Sequence, residues 1–143
     1  MLEQSVGLRL AQDRVTQLAE DSRLGAVDRV DGPDAIEHQR GSKRGIEGTK
    51  ATIVTLRHRF SDFELNVVKV TAEGDTVWSL NRARGVNTGS VMGFPPTGKS
   101  LEIDVMDVVR FEGGKMVEHW GVPDQLGMLI QLGLMRGPQP VGA

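Results

Sequence analysis

The chain contains no cysteine and no tyrosine, and only two tryptophans and four phenylalanines. Without cysteine there is no disulfide framework, no thiolate metal site and no cysteine nucleophile. So few aromatics leave little with which to stack nucleic-acid bases. A surplus of one charge is also missing: 17 Lys+Arg face 19 Asp+Glu, a formal net charge of -2. Neither half hides a basic excess, since residues 1–60 carry 10 basic and 9 acidic side chains and residues 61–143 carry 7 and 10. A dedicated nucleic-acid binder is therefore not expected. No apolar run approaches the roughly 18 residues of a membrane span. Glu3, Arg9, Asp13 and Arg14 break the N-terminus before a signal-peptide core can form. The expectation is a soluble cytoplasmic protein whose partner is neither membrane nor nucleic acid.

What is present fits a single domain over residues 1–143, long enough to bury a core unaided. Leu8, Ala11, Val15, Leu18 and Ala19 share a helical face over residues 6–21. A short helix is expected over Ala26–Val30, before the Gly32-Pro33 break. Ile46, Ile53, Leu56 and Phe60 predict a helix over Gly45–Phe60. The period then changes from 3.6 to 2. Strands are predicted over Glu64–Glu73, over Thr76–Val86 with Trp78, Leu80, Arg82 and Arg84 on one face, over the row Leu101, Ile103, Val105, Asp107, Val109, and over Lys115–Val122. Asp124 can cap a last helix with Leu126, Leu129, Ile130 and Gly133 on one face, and the tail beyond Met135 is expected to be loose. Helices first, then strands joined by short turns, predict an α+β fold. Its antiparallel meander has one face for the helices and one for a pocket or a second copy, and a homodimer is expected through the uncovered face.

Gly93-Phe94-Pro95-Pro96-Thr97-Gly98-Lys99-Ser100 satisfies the phosphate-loop pattern G-x-x-x-x-G-K-[ST] letter for letter. The context fails twice. A strand pattern follows where a helix N-terminus is needed, and Pro95 and Pro96 remove two backbone donors. No nucleotide is expected there.

Of three histidines, His58 lies between Arg57 and Arg59 and is expected on the surface. His119 shares parity with Val117 in a strand, and Asp107 interrupts an apolar row. A carboxylate in such a row needs a partner. The pair is either a satisfied buried contact or an acid–base pair in a pocket. A bulged three-residue loop, Glu112-Gly113-Gly114, would place Asp107 directly across from His119, whereas a two-residue Gly-Gly loop would set it opposite Trp120. The bulged loop is preferred because it keeps both polar groups on one face. Arg82 and Trp78 on the neighbouring strand either reach the same cavity or lie on the outer face. His38, His119 and Asp107 have no fixed metal-ligand spacing, so no metal is expected.

The segments Gly93–Lys99, Asp107-Val108-Val109-Arg110, Gly114–Trp120, Pro123-Asp124 and Gln131-Leu132-Gly133, with Gly45–Lys50 and Phe60–Phe63, resemble the SnoaL-like polyketide cyclase family across about residues 45–134. The resemblance implies the cone-shaped fold shared with nuclear transport factor two and ketosteroid isomerase, with a curved sheet and helices enclosing a pocket. It also implies that PPTGK is a strand connector. The family's aldol cyclases use an aspartate on the last strand, where this chain has Gly121, and a glutamine and a histidine at the places of Val105 and Asp107. A pocket asparagine of theirs falls near His38. Asp107 matches the buried proton-donating aspartate of ketosteroid isomerase, and His119 a histidine common in the family. The expectation is a cofactor-free cyclase or isomerase acting on an apolar carbonyl compound. His119 would be general base and Asp107 its orienter or an oxyanion donor, with His38, Trp78, Arg82, Val105 and Trp120 binding substrate. The rivals are a ligand-binding or dimerisation module without turnover, and an epoxide hydrolase pairing Arg82 with Asp107. A second acid lining the cavity would favour an enzyme, and none is evident in the sequence.

Overall fold

A computed structural model describes Arg9 and residues 31–139. The helices expected over 6–21 and 26–30 lie outside the described residues. The elements run β1 (Asp31–Glu37), α1 (Gly45–Arg59), β2 (Phe60–Glu73), β3 (Thr76–Asn87), β4 (Ser100–Glu112), β5 (Lys115–Pro123) and α2 (Gln125–Gln131). They form an α+β fold on a curved, unclosed sheet of order β1-β5-β4-β3-β2. Strands β2 to β5 make the expected antiparallel meander, each hydrogen-bonded to the next.

The expectation of a wholly antiparallel sheet is corrected at one edge. β1 pairs parallel to β5, with Glu37 beside His119. Gly32 and Pro33 disguise this strand as a break. Proline cannot donate to a ladder, but an edge strand tolerates it, and the register indeed shifts between Asp31 and Ile36.

β3 presents Val77, Ser79, Asn81, Ala83, Gly85 and Asn87 inward, all buried. β4 presents Leu101, Ile103, Asp107, Val109 and Phe111 inward, with Val105 half-buried in the same row. The inner face carries two apolar clusters. One is built on Phe60, Leu65, Ala83, Val91, Leu101, Ile103 and Leu132. The other is built on Ala35, Val77, Val109, Phe111 and Met116. Each fully buried Val, Leu or Phe contributes about 1.5–3 kcal/mol. Along the strands, the buried polar residues Ser79, Asn81, Asp107 and His119 fall between the clusters. A helix, α1, packs on β1 and β2.

The β4–β5 hairpin differs from the expected bulged loop. Gly113 and Gly114 both sit at positive φ (55° and 76°), as a two-residue primed turn demands, and Glu112 pairs with Lys115. A bulge then adds Val117, so that Val109 faces His119 and Asp107 faces Gly121. The extra residue restores the parity that a plain Gly-Gly turn would have broken. Asp107 and His119 thus share a face and meet on the diagonal rather than directly across.

Asn87 ties down the loop before β4. Its Oδ1 accepts from Thr97 N–H (2.8 Å) and Thr97 Oγ1 (2.9 Å), and its own carbonyl accepts from Gly98 N–H (2.8 Å). The N–H groups of Thr97 and Gly98 are thus spent on Asn87, and Ser100 opens a strand. At α2, Asp124 Oδ1 accepts from Gly127 N–H at 2.8 Å, the expected cap. The expected apolar face is corrected: Met128 and Leu132 pack on the core, whereas Leu126 is 51% exposed. In this orientation Gln131 grips both backbone groups of Glu102, at 2.8 and 2.7 Å.

Candidate active site

An apolar cavity of about 170 Å³ lies between the inner face of the sheet, α1 and α2. Phe60, Phe63, Leu65, Ala83, Leu101 and Ile103 supply much of its wall, and Glu37, Asp107 and His119 stand together in the lining.

These three make one hydrogen-bonded chain. His119 Nδ1 lies 2.9 and 2.8 Å from the two oxygens of Glu37, and His119 Nε2 lies 2.9 Å from Asp107 Oδ1. Their side chains are 10%, 8% and 11% exposed for Glu37, His119 and Asp107. The chain continues outward: Asn81 Nδ2 donates to Asp107 Oδ2 at 2.8 Å and to Ser79 Oγ at 3.1 Å. Glu37 Oε1 also accepts from the backbone N–H of Gln39 at 2.8 Å. With a carboxylate oxygen at each ring nitrogen, both contacts are hydrogen bonds only when the unit holds two protons. They reside on an imidazolium, or on a neutral ring and one carboxyl. Either way the unit carries a net charge of -1.

Gly121 matters here by its lack of a side chain. A Cβ there would collide with the Gln39 amide oxygen and stand 3.1 Å from His119 Cε1. Gln39 lines the cavity in the resulting notch, beside the imidazole, and its side-chain amide has no hydrogen-bond partner among the described residues.

Of the site residues expected from sequence, the structure brings Asp107, His119 and Val105 to the cavity. The other four face away from it, and their expected place in the pocket is corrected. Trp78 is 45% exposed on the outer face, paired with Thr71 and Val108. Arg82 lies on the same face and binds Asp104 at 2.6 Å and Glu102 at 3.1 Å, so it makes no pair with Asp107. The hydropathy pattern is inverted here: the outer row, Trp78 and Leu80, is more apolar than the inner Ser79 and Asn81. Trp120 follows His119 and so points outward. There it stacks on His38, rings 4.5 Å apart and within 4° of parallel. His38 Nε2 lies 2.8 Å from Glu118 Oε1, and Arg110 donates to Glu118 Oε2 at 2.9 Å. The His38 contact first, and Arg110 second, hold the Glu118 carboxyl below the ordinary carboxylate range.

Sequence reasoning missed Glu37, Gln39, Asn81 and Arg59, all of which line or support the cavity. Only Arg59 left a usable signal: Thr49, Thr52, Leu56 and Arg59 recur at 3, 4 and 3, one face of a helix.

Comparison with known proteins bears on this site. The profile of the SnoaL-like polyketide cyclases matches residues 9–132. The chain belongs to that family. Aklanonic acid methyl ester cyclase DnrD from Streptomyces peucetius is 28% identical over 131 residues, 85% of this chain and 89% of the relative. IdmH from Streptomyces antibioticus has a similar structure, with a TM-score of 0.73 and 30% identity, covering 85% of this chain and 96% of that one. An LEH-like epoxide hydrolase from M. tuberculosis shares the fold at a TM-score of 0.70 and 17% identity, covering 91% of each chain. Among SnoaL-like proteins this chain is thus one whose cavity acids come from β1 and β4, joined through a histidine on β5. No metal-binding cluster of His, Cys, Asp or Glu occurs among the described residues, and no helix among them is long and apolar enough to cross a membrane.

Proposed function

We propose that this SnoaL-like protein is an acid–base cyclase or isomerase acting on an apolar, carbonyl-bearing substrate, with Glu37, His119 and Asp107 as its proton-handling unit. The observation that carries this reading is the second acid. Glu37 lines the same cavity as Asp107 and touches the same imidazole, the feature that would distinguish an enzyme from a binding module.

The geometry refines the role expected for His119. Both ring nitrogens are occupied, so the proton passes through a carboxylate oxygen rather than directly through the ring. Asp107 takes a proton from the carbon next to the substrate carbonyl. The electron pair of the broken C–H bond moves into the enolate, whose oxygen accepts from the Gln39 amide. His119 and Glu37 stabilise the shifted charge. In a cyclisation the enolate carbon attacks a second carbonyl, and Asp107 returns the proton to the alkoxide formed. In an isomerisation the proton returns to another carbon. Acid–base help of this kind contributes about 10²–10⁴-fold, and dry apolar walls strengthen each charge interaction.

The relative's name supplies a first compound to try, aklanonic acid methyl ester. Purified protein is expected to convert it or a smaller polyketide, as ester or as free acid, and Asp107→Asn to lower the rate by about 10²-fold or more. Tight binding with no conversion by the wild type would favour the ligand-binding alternative.

A further inference from the structure

The cavity has a second charged group, at its other end. Arg59 ends α1, and its side chain joins Thr49, Thr52 and Leu56 in the lining. Its backbone is fixed: the carbonyl accepts from Asn87 Nδ2 (3.1 Å), Thr88 N–H (3.0 Å) and Gly89 N–H (3.1 Å). Its guanidinium makes no hydrogen bond or ion pair with any described residue. The arginines of the outer face behave otherwise. Arg82, Arg84 and Arg110 each hold a carboxylate at 2.6 to 2.9 Å.

The two ends are far apart. Asn87 anchors Arg59, Asn81 anchors Asp107, and both face inward from β3. Six residues of strand separate them, about 20 Å at ~3.3 Å per residue. Between them the wall is apolar, with Phe60, Leu65, Ala83, Leu101 and Ile103. The cavity therefore has a net negative end and a cationic end. A half-buried guanidinium without an anion gives up hydration for nothing in return. Its planar fork matches a carboxylate in two parallel hydrogen bonds.

We propose that Arg59 binds a carboxylate of the substrate, which makes the ligand an apolar keto acid rather than a neutral ketone. Repulsion from Glu37 and Asp107 keeps the carboxylate out of the acid–base end, attraction to Arg59 draws it in at the other, and the carbonyl is delivered to Asp107. A cavity of about 170 Å³ suits an apolar body of one or two fused rings, since ~150 Å³ holds a benzene. The carbonyl end of this inference rests on the proposed acid–base function; the acid end rests on Arg59 alone.

The probe pair is 6-acetyl-2-naphthoic acid and its methyl ester, equal in shape and different in charge. Calorimetry on the full chain measures binding, and proton NMR in deuterated buffer measures exchange of the acetyl protons. Wild type is expected to bind the acid at least tenfold more tightly than the ester. Arg59→Met should bring the acid down to the level of the ester, raise the acid concentration for half-maximal exchange by a similar factor, and leave affinity for the ester in place. Arg59→Gln serves the same purpose should the methionine variant not fold. Failure of wild type to bind the acid, equal binding of acid and ester, or equal weakening of both by the substitution would overturn the proposal. Discrimination between acid and ester without any exchange would uphold Arg59 and sink the acid–base reading instead.

Discussion

Asn81 and Asn87 are the same residue type on the same face of β3, and both are fully buried. Their surroundings differ. Asn87 uses its whole hydrogen-bonding capacity: Oδ1 accepts twice from Thr97, and Nδ2 donates to the carbonyls of Arg59 and Gly89. Every partner belongs to the backbone or to a neutral hydroxyl. Asn81 gives its amide hydrogens to Asp107 and Ser79, and its Oδ1 is buried without a partner among the described residues. A buried carbonyl oxygen left alone costs about 1–3 kcal/mol, and native folds keep few of them. Asn87 is placed as a fastening for α1, β3 and the loop before β4. Asn81 is placed for what it does to one carboxylate oxygen of Asp107, at some expense in stability. The fold is anchored at one end of the cavity and poised at the other.

The comparison breaks most visibly at Asn87. Asn87→Ala strips the side-chain acceptor from Thr97 and removes the donor that joins the end of α1 to the following loop. The expected loss is about 3 kcal/mol, read as a lower urea midpoint at unchanged slope. Asn81→Leu is the contrasting case. It takes the donor from Asp107 Oδ2 but also removes the orphaned oxygen, so one cost offsets part of the other and the expected stability loss is about 1–2 kcal/mol, less than at Asn87. Its effect on turnover is the larger one. Asp107 Oδ2 loses its fixed donor, and the misplaced base is expected to cost on the order of 10²-fold in rate. Equal stability losses at the two positions, or full activity in Asn81→Leu, would erase the distinction.

Much of this was legible in the sequence, for reasons that can be named. The switch from 3.6 to 2 after Phe60, the Gly113-Gly114 turn and the Asp124 cap each express a local rule, and the corresponding elements formed within a few residues of their predicted bounds. That Asp107 and His119 share a face was visible as parity, whereas their diagonal offset and the bulge at Val117 were not. Glu37 was hidden because its strand joins the sheet by a parallel, long-range pairing across a Gly-Pro pair. Such a pairing leaves no mark on local periodicity. Trp78 and Arg82 were misplaced because the inner row of β3 is polar where it meets Asp107, which inverts the usual hydropathy signal. Apart from the β4–β5 turn and the face of α2, sequence logic failed at the candidate site, as expected of residues kept for chemistry rather than packing.

The smallest effect sharpens the contrast through pH. Behind His119, on the outer face, Glu118 is held by His38 and Arg110, and its carboxyl is lowered from 4.5 chiefly by the His38 hydrogen bond. A carboxylate with a depressed value in the folded state adds stability that is present above its unfolded value and lost as pH falls through the folded one. The contribution of Glu118 is therefore expected to be complete above about pH 4.5 and to fade in more acid solution. Urea unfolding of Glu118→Gln between pH 7 and pH 3 is expected to run slightly below wild type at neutral pH and to converge with it at the acid end. Asn87 and its partners do not titrate, so Asn87→Ala should displace the whole curve in parallel. If Glu118→Gln also gave a parallel curve, the exposed His38 contact would be adding nothing that depends on charge. The β1–β5 edge would then owe its stability to the backbone ladder, the Glu37–His119 contact and the stacking of His38 on Trp120.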